Sequence, residues 1–93
     1  MVVALLSVAL HIPEARSLKD KRTVLRSVKD RLKKFNVAVA EVEHQDLWQR
    51  AEIGIVTVAT SAEHVDRVFS SVVDEIERAA PGMLTHTDVE YLT

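Results

Sequence analysis

The spacing of apolar positions divides the chain into six segments, which alternate between the two-residue period of strands and the 3.6-residue period of helices. Strands are predicted over residues 2–12, 37–44, 51–60 and 83–92, and helices between Ser17 and Asn36 and between Thr60 and Ala80. In the first strand (VVALLSVALHI), both alternating sets of positions are apolar. That pattern is typical of a strand covered on both faces.

Each predicted helix has a start signal and a buried stripe. Ser17 can cap the first helix, and Asp20 can form the reciprocal hydrogen bond of the cap. Asn36 is expected to end this helix in a left-handed conformation. For the second helix, Thr60 and Ser61 are the candidate caps, and Thr60 forms a capping box with Glu63. The apolar stripes are Leu18, Val24, Leu25, Val28, Leu32 and Phe35 in the first helix and Ala62, Val65, Val68, Phe69, Val72 and Ile76 in the second.

The resulting order, βαββαβ, is that of the ferredoxin-like fold. We therefore expect one domain spanning residues 1–93, an α+β sandwich with a four-stranded antiparallel sheet and both helices on one face. The first and third strands are the most apolar, as the central strands of this topology should be. Gly54 inside the third strand predicts a close approach or a bulge.

The amino-acid composition limits the cellular compartments and the chemical reactions that fit this protein. The chain has no cysteine, which excludes disulfides and thiolate sites and fits a reducing compartment. The apolar N-terminal segment has no preceding basic region and is too short to cross a bilayer. We expect a cytoplasmic protein without a membrane role.

Charge is distributed unevenly along the chain. Residues 1–36 contain nine Lys or Arg and three Asp or Glu, whereas residues 37–93 contain three and eleven. Five cations of the first helix fall on one stripe that could follow a phosphate backbone. The alternative is a solvated face that only keeps the protein soluble. The members of this basic stripe are Lys19, Arg22, Arg26, Lys29 and Lys33, flanked by Lys21, Arg31 and Lys34.

A second candidate surface is the polar connection of residues 45–50 (QDLWQR) between two strands. Trp48, the only tryptophan, is an anchor for a partner or a stacking surface for a base if it is exposed. The alternative is that its ring folds back onto the sheet edge or a helix end. Gln49 and Arg50 are the other candidate binding residues of this loop.

Recognisable catalytic patterns are absent. With only Gly54 and Gly82, the chain has no glycine-rich loop that could bind phosphate. No nucleophile and general base stand at a recognisable catalytic spacing. The four histidines lack the spacing of metal ligands. The central strands also lack the aromatic residues on which RNA-recognition motifs stack bases. We expect a protein that is not an enzyme and has no cofactor or metal.

The sheet face without helices is predicted to be apolar, with candidates such as Val3, Leu5 and Ala9 and their neighbours on the third strand. An apolar patch of that extent is unusual on a monomer. We expect a homodimer formed through this open face or through an edge strand.

Four segments together resemble the YlxP-like family, a bacterial family of small proteins whose biochemical role is uncharacterised: residues 17–22 (SLKDKR), 35–42 (FNVAVAEV), 45–49 (QDLWQ) and 51–54 (AEIG). The resemblance implies a ferredoxin-like fold and supplies no catalytic residue. Genes of this family commonly lie among translation genes, near those of an initiation factor and a ribosome-binding factor. By association, this implies contact with RNA or the ribosome.

The sequence therefore favours a binding module that contacts RNA or a ribosome-associated protein through its basic first helix. The alternative is a dimeric protein-interaction or regulatory domain with no role in nucleic-acid binding.

Overall fold

The computed structural model describes all residues, 1–93, and has the predicted order of elements. The six elements are β1 (Val2–His11), α1 (Leu18–Leu32), β2 (Ala38–Glu43), β3 (Arg50–Ala59), α2 (Ala62–Ala79) and β4 (Leu84–Tyr91). The strands form one sheet in the order β2-β3-β1-β4, and every neighbouring pair is antiparallel. The predicted ferredoxin-like fold and its two central strands are confirmed.

The hydrophobic core lies between the sheet and the helices. In β1, the residues facing the helices are Ala4, Leu6, Val8 and Leu10, and all four are buried. Their neighbours Val3, Leu5 and Ala9 point to the other face and are only half-buried. The expectation that β1 is covered on both faces is therefore wrong for the single chain, because both helices pack on one side.

The predicted N-terminal end of α1 is confirmed, but the predicted C-terminal end is wrong. Ser17 accepts a hydrogen bond from the Asp20 N–H at 3.1 Å, and the Asp20 carboxylate accepts one from the Arg16 N–H at 3.0 Å. The helix ends at Leu32, before the predicted stop, and Asn36 does not have a positive φ. The Asn36 carbonyl instead accepts the Thr57 hydroxyl at 2.8 Å, which fixes the approach to β2.

The start of α2 corrects the predicted cap. Ser61, and not Thr60, is the N-cap, and its hydroxyl accepts a hydrogen bond from the His64 N–H at 3.2 Å. With Ser61 in that place, Thr60 lies outside the helix and cannot form the capping box. In the apolar stripe of α2, Val65, Phe69, Val72 and Ile76 are buried and Val68 is half-buried, but Ala62 is exposed in the first turn.

Gly54 lies on the open face of β3, opposite Ser7 of β1. A Cβ atom at this position would be 3.2 Å from Cγ1 of Val42 and 3.6 Å from Cδ1 of Leu5. The predicted close approach is thus confirmed. The irregular register is on β2, between Glu41 and Glu43, where Val42 reaches across the glycine.

The two helices are joined by ion pairs around Glu75, a carboxylate of α2 that is almost fully buried. It contacts Lys34 at 2.8 Å, Arg78 at 2.8 Å and Arg31 at 3.5 Å. The hydrogen bond from Lys34, with further contributions from both Lys34 and Arg78, lowers the pKa of Glu75 below its ordinary value of 4.5. The ionised form is therefore the one that the folded state prefers.

This cluster predicts how stability responds to acid. Because the pKa of Glu75 is lower in the folded than in the unfolded state, its contribution is complete above about pH 5 and is lost as pH falls below 4.5 through the folded-state pKa. We expect wild type to melt at a higher temperature than Glu75→Gln at pH 7, with the difference shrinking toward pH 3. Thermal melts across this range test it. A difference that does not change with pH would contradict the role of the ionised carboxylate.

Candidate functional site

A groove runs between α1 and the edge strand β2, and we call it the α1–β2 groove. Its volume is about 430 Å³, and four of the five residues of the predicted basic stripe line it. The fifth, Lys19, is exposed on the first turn of α1 but is not part of the lining. The lining residues are Arg22, Leu25, Arg26, Lys29, Asp30, Lys33 and Glu41.

Both carboxylates of the groove are engaged by other residues. Asp30 contacts Lys33 at 3.1 Å, and Glu41 contacts Lys21, which does not line the groove. Arg22, Arg26 and Lys29 take part in none of the ion pairs of the structure. The groove therefore has a net positive charge and three cations without a protein counterion.

The cations that flank the stripe have different positions. Arg31 and Lys34 point toward α2 and contact Glu75 at 3.5 and 2.8 Å. Lys34 also lies 5.6 Å from the centre of the Phe35 ring, within range of a cation–π contact. These two residues tie the helices together, so they are not part of the groove.

Lys21 is 1% exposed, and its ammonium is surrounded by three oxygens. Nζ lies 2.5 Å from the His44 carbonyl, 2.7 Å from the Leu47 carbonyl and 2.7 Å from Oε2 of Glu41. The two carbonyls accept hydrogen bonds, while Oε2 is buried without one and its contact is ionic. Lys21 thus fixes the connection between β2 and β3 against α1.

Sequence reasoning assigned Lys21 to the exposed flank and missed this role. Positions 18, 21, 25, 28 and 32 form one continuous stripe of α1, and Lys21 stands at a place where the pattern requires an apolar residue. A cation at such a position is the signal that could have revealed a buried partner, because buried lysines need one.

His44 begins the β2–β3 connection in a left-handed conformation, with φ of 62°. This is the only positive φ outside glycine, and it costs a non-glycine residue about 1 kcal/mol. The conformation lies directly at the carbonyl that Lys21 binds. The strain is thus located where the buried ammonium holds the chain.

Trp48 is 51% exposed, so its ring does not fold back into the protein. It lines a cavity of about 530 Å³ together with His11, Leu47, Gln49 and Arg50, which we call the Trp48 cavity. The structure therefore brings the three predicted loop residues to one site.

Gln49 also has a structural role. Its side-chain amide donates hydrogen bonds to the main-chain carbonyls of Pro13 and Ala15, at 3.1 and 3.3 Å. The main-chain carbonyl of Gln49 accepts a hydrogen bond from the Ile12 N–H at 2.8 Å. The connection is therefore bound on both sides of Trp48, to α1 through Leu47 and to residues 12–15 through Gln49.

The histidines do not gather into a ligand set. His11 and His44 line a common cleft of about 280 Å³ with Arg50 and Glu52. No group of three or more His, Cys, Asp or Glu side chains is arranged to hold a metal ion. Neither helix is long and apolar enough to cross a membrane.

The model of a family described as "Protein of unknown function (DUF503)" matches residues 3–89. The uncharacterized protein YlxP of Bacillus subtilis is 39% identical over 67 residues, which cover 71% of this chain and 73% of that protein. The resemblance stated from the sequence is confirmed by both findings.

Among solved structures, a de novo designed protein with a ferredoxin fold matches with a TM-score of 0.61 and 16% identity, covering 100% of this chain and 87% of the design. SnoaB, a cofactor-independent oxygenase from Streptomyces nogalater, matches with a TM-score of 0.58 and 9% identity over 99% and 91% of the two chains. At these identities, the likeness concerns the fold alone.

The contacts of Lys21 predict a large loss of stability on removing its charge. Lys21→Met keeps the apolar stem of the side chain but leaves two carbonyls and a buried carboxylate oxygen without their partner, so we expect a cost of about 3 kcal/mol. Urea unfolding followed by Trp48 emission measures it.

Lys19→Met is the matched control, because Lys19 is exposed on the same turn, and its cost should stay within about 0.5 kcal/mol. Removing both charges, as in Lys21→Met with Glu41→Leu, should recover part of the loss. Equal stabilities of Lys21→Met and Lys19→Met would show that the ammonium is not needed.

Proposed function

The chain belongs to the DUF503 family of proteins of unknown function, and we propose that it is a cytoplasmic, non-enzymatic binding module that holds the phosphate backbone of RNA in the α1–β2 groove. The observation that carries this proposal is the set of three groove cations, Arg22, Arg26 and Lys29, without a protein counterion. A solvated face that serves solubility alone does not require its cations to line one groove.

The dimensions of the groove suit a nucleic-acid strand. From Arg22 to Lys33, α1 rises about 16 Å at about 1.5 Å per residue. A stacked strand has a phosphate every 3.4 Å or so, which places about four or five phosphates along that length. Arginine, which supplies two of the four lining cations, can bind a phosphate with two parallel hydrogen bonds.

Two further considerations support RNA as the partner. A membrane-bound helix needs an exposed apolar face, but Leu25, Val28 and Leu32 of α1 are buried in the core. The genes of the YlxP-like family commonly lie among translation genes, which by association favours RNA or a ribosome-associated partner.

This proposal predicts a strong dependence of RNA binding on salt. If the three groove cations without a counterion each meet a phosphate of a single strand, the logarithm of affinity should fall with that of salt concentration with a slope of about −2. Arg22→Glu with Arg26→Glu should abolish binding at physiological salt. Titration of a labelled single-stranded RNA at several salt concentrations measures both effects.

The matched control is Arg16→Glu with Arg67→Glu, which changes the net charge equally at exposed cations outside the groove. This control should retain the slope of the wild type and most of its affinity. If the two double variants weaken binding equally, the groove is not the site. A wild type that binds no RNA at low salt would end the proposal.

A second proposal concerns the face of the sheet that the helices leave uncovered, which we call the open sheet face. It is apolar at the end where β1 begins, with Val3 opposite Val58 and Leu5 opposite Val56. Val58 is 48% exposed, although it lies on a central strand. The other apolar side chains of this face are Ala9, Ala38, Ala40 and Val42.

We propose a second copy of the chain as the occupant of this face. The face is about 19 Å wide and 27 Å long, from four strands about 4.8 Å apart and eight residue steps of about 3.4 Å. Complete overlap of the two faces would bury about 1,000 Å², which reaches the lower bound for a specific interface. Asp88 and Glu90 at one edge and Arg50 at one end provide charges of both signs to rim it.

The dimer is tested with two matched substitutions of exposed valines. Val58→Lys places a charge on the open sheet face and should convert a dimer into a monomer. Val89→Lys places the same charge on the opposite side of β4, where Val89 pairs with the buried Leu6, and should leave the dimer intact. Sedimentation at micromolar concentration decides, and a monomeric wild type would refute the dimer.

A further inference from the structure

The Trp48 cavity combines an exposed indole with a backbone that is fixed on both sides. Leu47 is held by the buried ammonium of Lys21, and Gln49 is held by residues 12–15 through its main chain and its side chain. Trp48 itself remains half exposed between these two residues. A ring presented in this way loses little conformational entropy when a ligand stacks on it.

The lining of the cavity is apolar and cationic. Trp48 and Leu47 supply apolar surface, while Arg50 supplies a guanidinium that takes part in no ion pair. No carboxylate belongs to the lining, and the depression of about 530 Å³ is open to solvent. A flat ring with an anionic group attached to it satisfies both parts of this lining.

The cavity adjoins the α1–β2 groove through a single side chain. The ammonium of Lys21 contacts Glu41, which lines the groove, and the carbonyl of Leu47, which lines the cavity, each at 2.7 Å. The groove and the cavity therefore lie on either side of one buried side chain.

We propose that the Trp48 cavity binds one unstacked nucleobase of single-stranded RNA, with the base on the Trp48 ring and an adjacent phosphate on Arg50. This inference rests on the proposed function of the groove and adds to it, because it assigns a single-stranded substrate. Duplex RNA cannot place a base on the ring without unpairing it.

The lining favours a base over an aromatic side chain of a protein partner. Arg50 and the groove cations are suited to a ligand with a negative charge at every repeat, which a ribose–phosphate chain has. Stacking on tryptophan accepts any base, so the site should contribute affinity without sequence specificity.

The sole tryptophan makes the test direct. Two probes are titrated into the wild-type protein: a single-stranded RNA of about ten nucleotides and an abasic ribose–phosphate oligomer of the same length. Both probes should bind, because both offer phosphates to the groove. Only the RNA should quench Trp48 emission, and it should bind about 5- to 100-fold more tightly than the abasic oligomer.

Two variants separate stacking from electrostatics. Trp48→Ala should reduce the affinity for RNA to that for the abasic oligomer while leaving the latter unchanged, as measured by the anisotropy of labelled probes. Trp48→Phe keeps a smaller ring and should give an intermediate affinity. Circular dichroism melts establish that both variants are folded, as expected for a half-exposed position.

The possible failures are distinguishable. Equal binding of the two probes with unchanged Trp48 emission would overturn base stacking and leave the groove proposal standing. Absence of binding by either probe would overturn the groove proposal itself. Quenching by a free mononucleotide with no gain for the longer RNA would overturn the assignment to single-stranded RNA.

Discussion

The structure around the candidate sites depends on the burial of one ammonium group. An unpaired charge in the interior is strongly unfavourable, so the ammonium of Lys21 must be surrounded by oxygens wherever α1 packs on the sheet. Those oxygens come from Glu41 on β2 and from the carbonyls of His44 and Leu47. Meeting this requirement sets the position of the β2–β3 connection. The left-handed conformation of His44, which is uncommon outside glycine, lies at one of these carbonyls.

The basic residues of α1 and of the segment that follows it have different roles. Lys21 is structural and fully buried, while Arg31 and Lys34 neutralise Glu75 and join α1 to α2. Arg22, Arg26 and Lys29 remain without counterions along a single groove. The groove is therefore the place where cations without a protein counterion lie together. This separation makes the groove a more specific candidate for an anionic partner than the net charge of the first helix alone.

The two faces of the sheet are used differently. One is closed by the helices and contains nearly the whole core, whereas the other offers an apolar end around Val3 and Val58 and a polar end around His11 and Arg50. These ends are about 27 Å apart along β1. An interface between two copies centred on the apolar end would therefore leave the Trp48 cavity at its margin. A dimer that covers the whole length of this face would reach Arg50, which also lines the Trp48 cavity, so self-association would compete with binding at that cavity.

The sequence by itself determined the order of the elements, the two central strands, the family and the stripe of cations, because periodicity and composition are local properties of the chain. It also identified Trp48, Gln49 and Arg50 as one candidate loop. It did not determine that Lys21 is buried or that Gln49 binds the 12–15 segment, since these contacts join residues more than twenty positions apart. It named Thr60 beside Ser61 as a cap of α2, although only Ser61 accepts the His64 N–H, and it placed the end of α1 at Asn36, whose carbonyl instead accepts the Thr57 hydroxyl. Only the tertiary structure decided which cations are free to bind a partner, because a charge is available only after the fold has satisfied its buried groups.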